Sequence, residues 1–166
     1  MRGKVFYADV TGGQYGYWLY SRQNRLVVHT TVHFSNFNEL SDFHKERLQQ
    51  RFEQAALIWE KHNPFNYPVK FVFQIVEDPE RAHVRNIKLL SNTRGPYFSK
   101  WNINWNVATI AHEFGHVLGL DDEYSYFGQD VKGICEPTSL MCQTNSFRSE
   151  IKNYHYYLVL RRLGCA

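Results

Sequence analysis

The segment Ala111-His112-Glu113-Phe114-Gly115-His116-Val117-Leu118-Gly119-Leu120-Asp121-Asp122 leaves the chain few ways to fold around it. On a helix, positions i and i+4 share a face, so His112 and His116 can point their imidazoles at one ion. Glu113 stands beside them, where it can hold a water on that ion without ligating it. Gly119 lets the chain leave the helix sharply, because glycine tolerates positive φ. The turn can then return Asp122, ten residues after His112, as a third ligand. Two imidazoles and one carboxylate leave a fourth zinc position open to water, which is the arrangement of a catalytic site.

The flanking residues agree. Val107-Ala108-Thr109-Ile110-Ala111 is apolar and helix-compatible, and Asn106 before it can cap the helix. A Met follows in Ser139-Leu140-Met141-Cys142. His112 to Asp122 resembles the extended zinc motif of the metzincin metallopeptidases, His-Glu-x-x-His-x-x-Gly-x-x-His/Asp. Met141 resembles the Met of their Met-turn, which lies beneath the metal. The Asp in third place is similar to the small secreted bacterial proteases of the snapalysin type. The motifs cover roughly residues 106 to 145.

That resemblance implies that His112, His116 and Asp122 bind one catalytic zinc and that Glu113 is the general base. It implies an α+β, metzincin-like zincin fold. Such a fold has a mixed twisted sheet with an antiparallel edge strand, a scaffold helix, an active-site helix and a C-terminal helix. The activity implied is zinc-dependent endopeptidase, acting on protein or peptide substrate in extended conformation. A secreted or exported monomer is expected. The chain departs from several metzincins two residues after the Met, where Gln143 replaces Tyr. No transition-state Tyr is carried over, and Tyr124, Tyr154, Tyr156 and Tyr157 all stand nearby in sequence. Asp121 and Glu123 flank Asp122 and read as solvated loop residues or as groups behind the ligands.

Cys135 and Cys142 bracket the approach to Met141. A bridge between them would rigidify the loop under the metal, and the resembled proteases place a disulfide in the same region. Two free thiols are the other reading, because spacing alone does not set connectivity. Cys165 is left over near the C-terminus, free or paired between chains.

At 166 residues the chain suits one domain, 1–166, and is long enough to bury most of its apolar surface. Aromatics at 16% mark a globular composition rather than a disordered one. A net charge of +3 without a long basic run does not suggest a nucleic-acid partner. No apolar run approaches membrane-spanning length. No signal peptide is visible at Met1-Arg2-Gly3-Lys4, so the signal has been removed, the domain ends a longer protein, or export takes another route. Zinc is the one cofactor the pattern asks for; calcium at the acidic loop finds no support in the residues.

Residues 1–24 are rich in Gly and Tyr and read as an irregular N-terminal arm, or a hairpin, packed on the body. Leu26 to Phe34 is a strand rich in β-branched residues. His29 and His33 share one face of it, but about 13 Å apart, too far to chelate one ion. Ser41 to Lys61 is a helix with Leu48, Phe52, Ala55, Ala56 and Trp59 as its apolar stripe. Val69–Val76 and Val84–Leu90 are strands, and Tyr97–Trp101 is a short edge strand. Trp101 and Trp105 carry little functional weight, since Trp is more often core. The motif helix spans Val107–Leu118, a long loop runs from Asp121 to Leu140 with Gly128 and Gly133, and Glu150–Leu163 is a closing helix. Tyr154, Tyr157, Leu158 and Arg161 fall on its successive turns.

Other readings compete. Small zinc-dependent endoribonucleases have related His spacing, but with Gly where this chain has Glu113 and His where it has Asp122. A delivered effector or toxin domain would share the peptidase chemistry with a narrow substrate. A non-enzymatic binding module would need a vestigial motif. A ligand from farther on, Glu136 or Glu150, would place the chain among Glu-ligated relatives that lack the Gly-x-x-Asp extension.

Overall fold

A computed structural model describes residues 4–10, 13–92, 99–123, 135–142 and 148–160. Of the two readings of the N-terminal residues, the hairpin holds over the described residues and the irregular arm does not. β1 (Lys4–Val10) pairs antiparallel with β2 (Gly13–Arg22), from Lys4 opposite Leu19 to Val10 opposite Gly13. β2 turns directly into β3 (Arg25–Phe34), with Arg22 opposite Arg25. The turn residues Gln23 and Asn24 have φ of 50° and 57°. Two left-handed residues give a turn whose twist matches that of the flanking strands. Gln-Asn is not the usual Asn-Gly signal for this turn, which is why the pattern is faint in the sequence.

β3 is the centre of the sheet. On one edge it pairs in parallel with β4 (Val69–Ile75), from Leu26 opposite Val69 to Val32 opposite Ile75. α1 (Asp42–Lys61) is the crossover between them, as parallel pairing requires. Its buried residues are Leu48, Phe52, Ala55, Ala56 and Trp59, the stripe read from spacing. Ser41 occupies the N-cap position, but its hydroxyl is hydrogen-bonded to His44 Nδ1 at 2.9 Å and caps no backbone N–H.

On the other edge of β3, β5 (Val84–Leu90) takes over where β2 stops, also in parallel. His83 N–H donates to Thr31 O, whereas Val76 N–H donates to Val32 O, and adjacent carbonyls on a strand point to opposite edges. β6 (Lys100–Asn102) then pairs with β5. This pairing is parallel, which corrects the antiparallel edge strand expected from family resemblance. Alternation of apolar residues reports which face of a strand is buried, not which way it runs. Tyr97 and Phe98 lie outside the described residues. Among the described residues the strand order is β1-β2-β3-β5-β6, with β4 beside β3, and with three α-helices this gives an α+β fold built on a curled mixed sheet.

The core lies between the sheet and the helices α1 and α2 (Val107–Val117). Phe114 of α2 stacks on Phe73 of β4 with ring centroids 3.7 Å apart and meets Phe52 of α1 edge-on at 4.9 Å. Trp59 Nε1 donates to Ala111 O at 3.0 Å, tying α1 to α2 across buried space. Trp101 is core, as its type suggests. α3 (Asn153–Leu160) closes the body, and positions 161–163 of the expected helix lie outside the described residues. Its buried face carries His155, Tyr156 and Val159, while Tyr154 and Tyr157 are exposed. Tyr156 OH donates to Trp59 O, so α3 is anchored on α1.

Candidate metal centre

α2 starts where Asn106 accepts the Thr109 N–H at 2.9 Å, the cap read from the sequence. His112 and His116 follow one turn apart, both buried, and Glu113 is buried between them in sequence. The helix ends in a Schellman arrangement: Leu120 N–H donates to Gly115 O at 3.0 Å and Gly119 N–H to His116 O at 2.8 Å. Gly119 has φ 84°, so its lack of a side chain is what permits this reversal. The reversal directs Leu120 O back toward His116 and brings Asp122 over the imidazole pair.

Each imidazole is held from behind by a backbone carbonyl. His112 Nδ1 donates to Leu140 O at 2.8 Å, and His116 Nδ1 donates to Leu120 O at 2.9 Å. A carbonyl only accepts, so both Nδ1 atoms carry hydrogen and both Nε2 atoms present lone pairs in the neutral rings. The two Nε2 atoms lie 3.1 Å apart, and Asp122 Oδ1 lies 3.1 Å from His112 Nε2 and 3.2 Å from His116 Nε2. Oδ1 is buried and within reach of both rings, yet it forms no well-directed hydrogen bond. Three donor atoms therefore converge on a common point, where a cation could be held.

These residues are the metal-capable cluster among the described residues. Zinc bonded at about 2.0–2.1 Å in a tetrahedron sets its donors roughly 3.3 Å apart, and the observed triangle is close to that size. The donor set fits zinc in chemistry as well, with two neutral imidazoles and one carboxylate. Burial works to raise the Asp122 pKa, but the two imidazoles outweigh it and hold the carboxyl well below the usual carboxylate range. Burial works to lower the His116 pKa, but the Asp122 carboxylate and then Glu113 outweigh it, so the proton affinity rises. The rise at His116 reports the negative charge of the carboxylates beside it, and the fall at Asp122 reports the imidazoles that face it.

Glu113 Oε1 is buried and has no hydrogen-bond partner among the described residues. Burial raises its pKa above the ordinary glutamate value, against the opposing pull of His112 and His116. A desolvated carboxylate with an unused lone pair beside a cation site is equipped to accept a proton.

Met141 is fully buried beneath α2, and a Cβ at Gly115 would overlap its Sδ. Cys135 and Cys142 form a disulfide, with Cα atoms 5.3 Å apart, so the two-thiol reading is set aside. Within that loop lie both Leu140, whose carbonyl holds His112, and Met141. Leu140 N–H in turn donates to Glu150 O at 2.9 Å, and Ser139 bridges to Glu150, so the turn is fixed from outside as well.

Glu123 does not stand behind a ligand histidine. Its Oε1 accepts from Tyr154 OH at 2.6 Å and from His155 Nε2 at 2.8 Å, while its N–H donates to Met141 O at 3.0 Å. It joins the Asp122 turn to α3 and to the Met141 turn. Asp121 is exposed, as a solvated loop residue should be. Glu136 and Glu150 both pair with Lys152 Nζ, at 2.7 and 3.2 Å, and take no part in the cluster. Of the four tyrosines, Tyr156 is buried on α1 and Tyr157 packs on Phe65. Tyr154 reaches the Glu123 turn, and Tyr124 lies outside the described residues, as do Gly128, Gly133, Gln143 and Cys165. His29 is structural, bonded to Gln74 at 3.1 Å and set edge-on to Trp18.

The carbonyls of Leu120 and Leu140 are the functional groups that the sequence hides, because every residue type supplies a carbonyl. Gly115 was visible inside the motif, but its reason, the sulfur above it, was not. Comparison of the chain with protein-family models, with curated proteins and with solved structures found no match.

Proposed function

We propose that this chain is a zinc-dependent endopeptidase of metzincin type, acting on polypeptide in extended conformation. The observation that carries the reading is the convergence of His112 Nε2, His116 Nε2 and Asp122 Oδ1 beside a buried Glu113 whose Oε1 has no hydrogen-bond partner among the described residues. His112, His116 and Asp122 would hold the ion, and the Leu140 and Leu120 carbonyls orient the two rings. Bound zinc supplies Lewis acidity, lowering the pKa of water toward neutrality and polarising a peptide carbonyl. Glu113 takes the proton of the attacking water at Oε1 and passes it to the departing amine nitrogen. Burial supports this role, since it makes the carboxylate a stronger base. The Cys135–Cys142 disulfide supports a secreted or exported protein, because such bridges persist in oxidising compartments.

The test pairs metal analysis with two substrates. Purified protein should carry about one zinc per chain and cleave an unfolded polypeptide, with loss of cleavage on chelation and recovery on adding zinc. Cleavage of structured RNA and not of polypeptide would overturn the peptidase reading.

A further inference from the structure

A groove of about 470 Å³ runs along the outer side of α1 from Arg47 to Lys61 and ends at the first residues of α2. Those fifteen positions, fourteen helical rises, cover about 21 Å of helix, the length of roughly six residues of extended peptide. None of the metal-binding residues lines it.

We propose that this groove binds an acidic segment of polypeptide. Its charged lining is Arg47, Arg51 and Lys61, and no aspartate or glutamate lines it among the described residues. Of the four acids on α1, Asp42 pairs with Lys45, Glu60 with Lys70, and Glu53 accepts from Gln49, and neither these nor Glu46 are among the lining residues. Arg51 gives one N–H to Ile103 O at 2.7 Å, which leaves the rest of its guanidinium donors for a ligand. Arg47 and Arg51 are one turn apart on the same face, where like charges repel. Burial, and then the Arg47 charge, push the Arg51 guanidinium below its ordinary pKa. A carboxylate laid between them would relieve that repulsion.

The end of the groove adds uncharged donors. Asn106 caps only the Thr109 N–H, and the N–H groups of Val107 and Ala108 have no acceptor within the helix. They stand at the positive end of α2. The remaining lining suits a peptide. Gln50 and Gln54 offer amides that can pair with a backbone, and Ile58 gives an apolar floor. Among the described residues no Trp, Tyr or Phe lines the groove, which gives no stacking platform of the kind on which single-stranded nucleic acids rely.

Binding is read by fluorescence anisotropy with the full chain carrying Glu113→Gln, so that the probe stays intact whether or not the protein hydrolyses peptides. The probes are a labelled decamer of Glu and Ser, a neutral decamer of Gln and Ser, and a single-stranded RNA of the same net charge as the acidic peptide. The acidic decamer should bind at least about tenfold more tightly than the neutral one and weaken as ionic strength rises. Adding Arg47→Ala with Lys61→Ala, both at exposed positions, should abolish that preference while the melting temperature stays put. If that pair unfolds the chain, Arg47→Gln alone must still weaken acidic binding by several-fold. Equal affinity for acidic and neutral decamers, an unaltered preference in the variants, or tighter binding of the RNA would each overturn the proposal.

Discussion

Met141 occupies the space that a side chain at Gly115 would need. A Cβ there would lie 3.0 Å from the Met141 Cε and closer still to its sulfur, with Trp59 behind at 3.5 Å. Two effects oppose each other in Gly115→Ala. Alanine favours a helix over glycine by about 1 kcal/mol. Overpacking a filled core costs typically 1–3 kcal/mol. Met141 is fully buried and its neighbours on both sides are held, so the overlap should win. Urea denaturation should show Gly115→Ala to be destabilising, by up to about 2 kcal/mol. The loss should shrink in combination with Met141→Ala, giving a favourable coupling in the double-mutant cycle. Strict additivity would mean that the sulfur does not press on the helix at this point.

Replacing Glu113 separates chemistry from structure. Glu113→Gln keeps volume and removes the base, so polypeptide hydrolysis should fall by about 10²- to 10⁴-fold while zinc content and melting temperature hold. His116→Ala should instead lose zinc, because it removes one of three donors. Near-normal turnover in the first variant, or full zinc occupancy in the second, would remove these residues from their assigned roles.

The features legible in the sequence are those that a local period encodes. The buried stripe of α1, from Leu48 to Trp59, follows from spacings of three and four. The i, i+4 pair His112 and His116, the Asn106 cap and the Gly119 reversal are all written in neighbouring residues. What stayed hidden depends on partners distant in the chain. The β2–β3 hairpin turns on Gln23 and Asn24, which reach left-handed φ without a glycine to announce it. The parallel direction of β6 leaves no trace in its three residues. Leu140 O and Glu123 act through contacts 28 and 32 positions away, with His112 and His155. The basic groove gathers Arg47, Arg51 and Lys61 from separate turns of one helix, so no charge run betrays it.

The disulfide should make the proposed metal centre sensitive to reduction. Cys135 and Cys142 are seven positions apart and enclose Leu140 and Met141. Closing so short a loop restricts the unfolded chain by about 2–3 kcal/mol in the chain-entropy view. Opening it also frees the carbonyl that orients His112, and loss of such an outer contact costs metal affinity about 10- to 100-fold. Cys135→Ser with Cys142→Ser should therefore lower both the urea midpoint and the zinc affinity measured against a competing chelator. A drop in stability with zinc affinity unchanged would show that the Leu140 turn holds its shape without the bridge.

His83 sets an acid limit on the fold. It is buried beside Trp18, and its Nδ1 accepts the Thr31 N–H at 3.0 Å, so protonation there would set two donors against each other. Burial, and then the charge of His29, lower its pKa from 6.5 to about 4. The neutral ring is the form the fold prefers. Above about pH 6.5 both folded and unfolded chains hold it neutral, and the full stabilisation is present. As pH falls from there toward 4, the unfolded chain takes up the proton first, and stability declines by about 2–3 kcal/mol. Below that window both states are protonated and this contribution changes no further. His83→Gln keeps an acceptor for Thr31 but cannot titrate. Its urea midpoint should fall less steeply between pH 6.5 and 4 than that of the parent chain. Parallel slopes in the two proteins would show that the acid sensitivity of this fold resides in other groups.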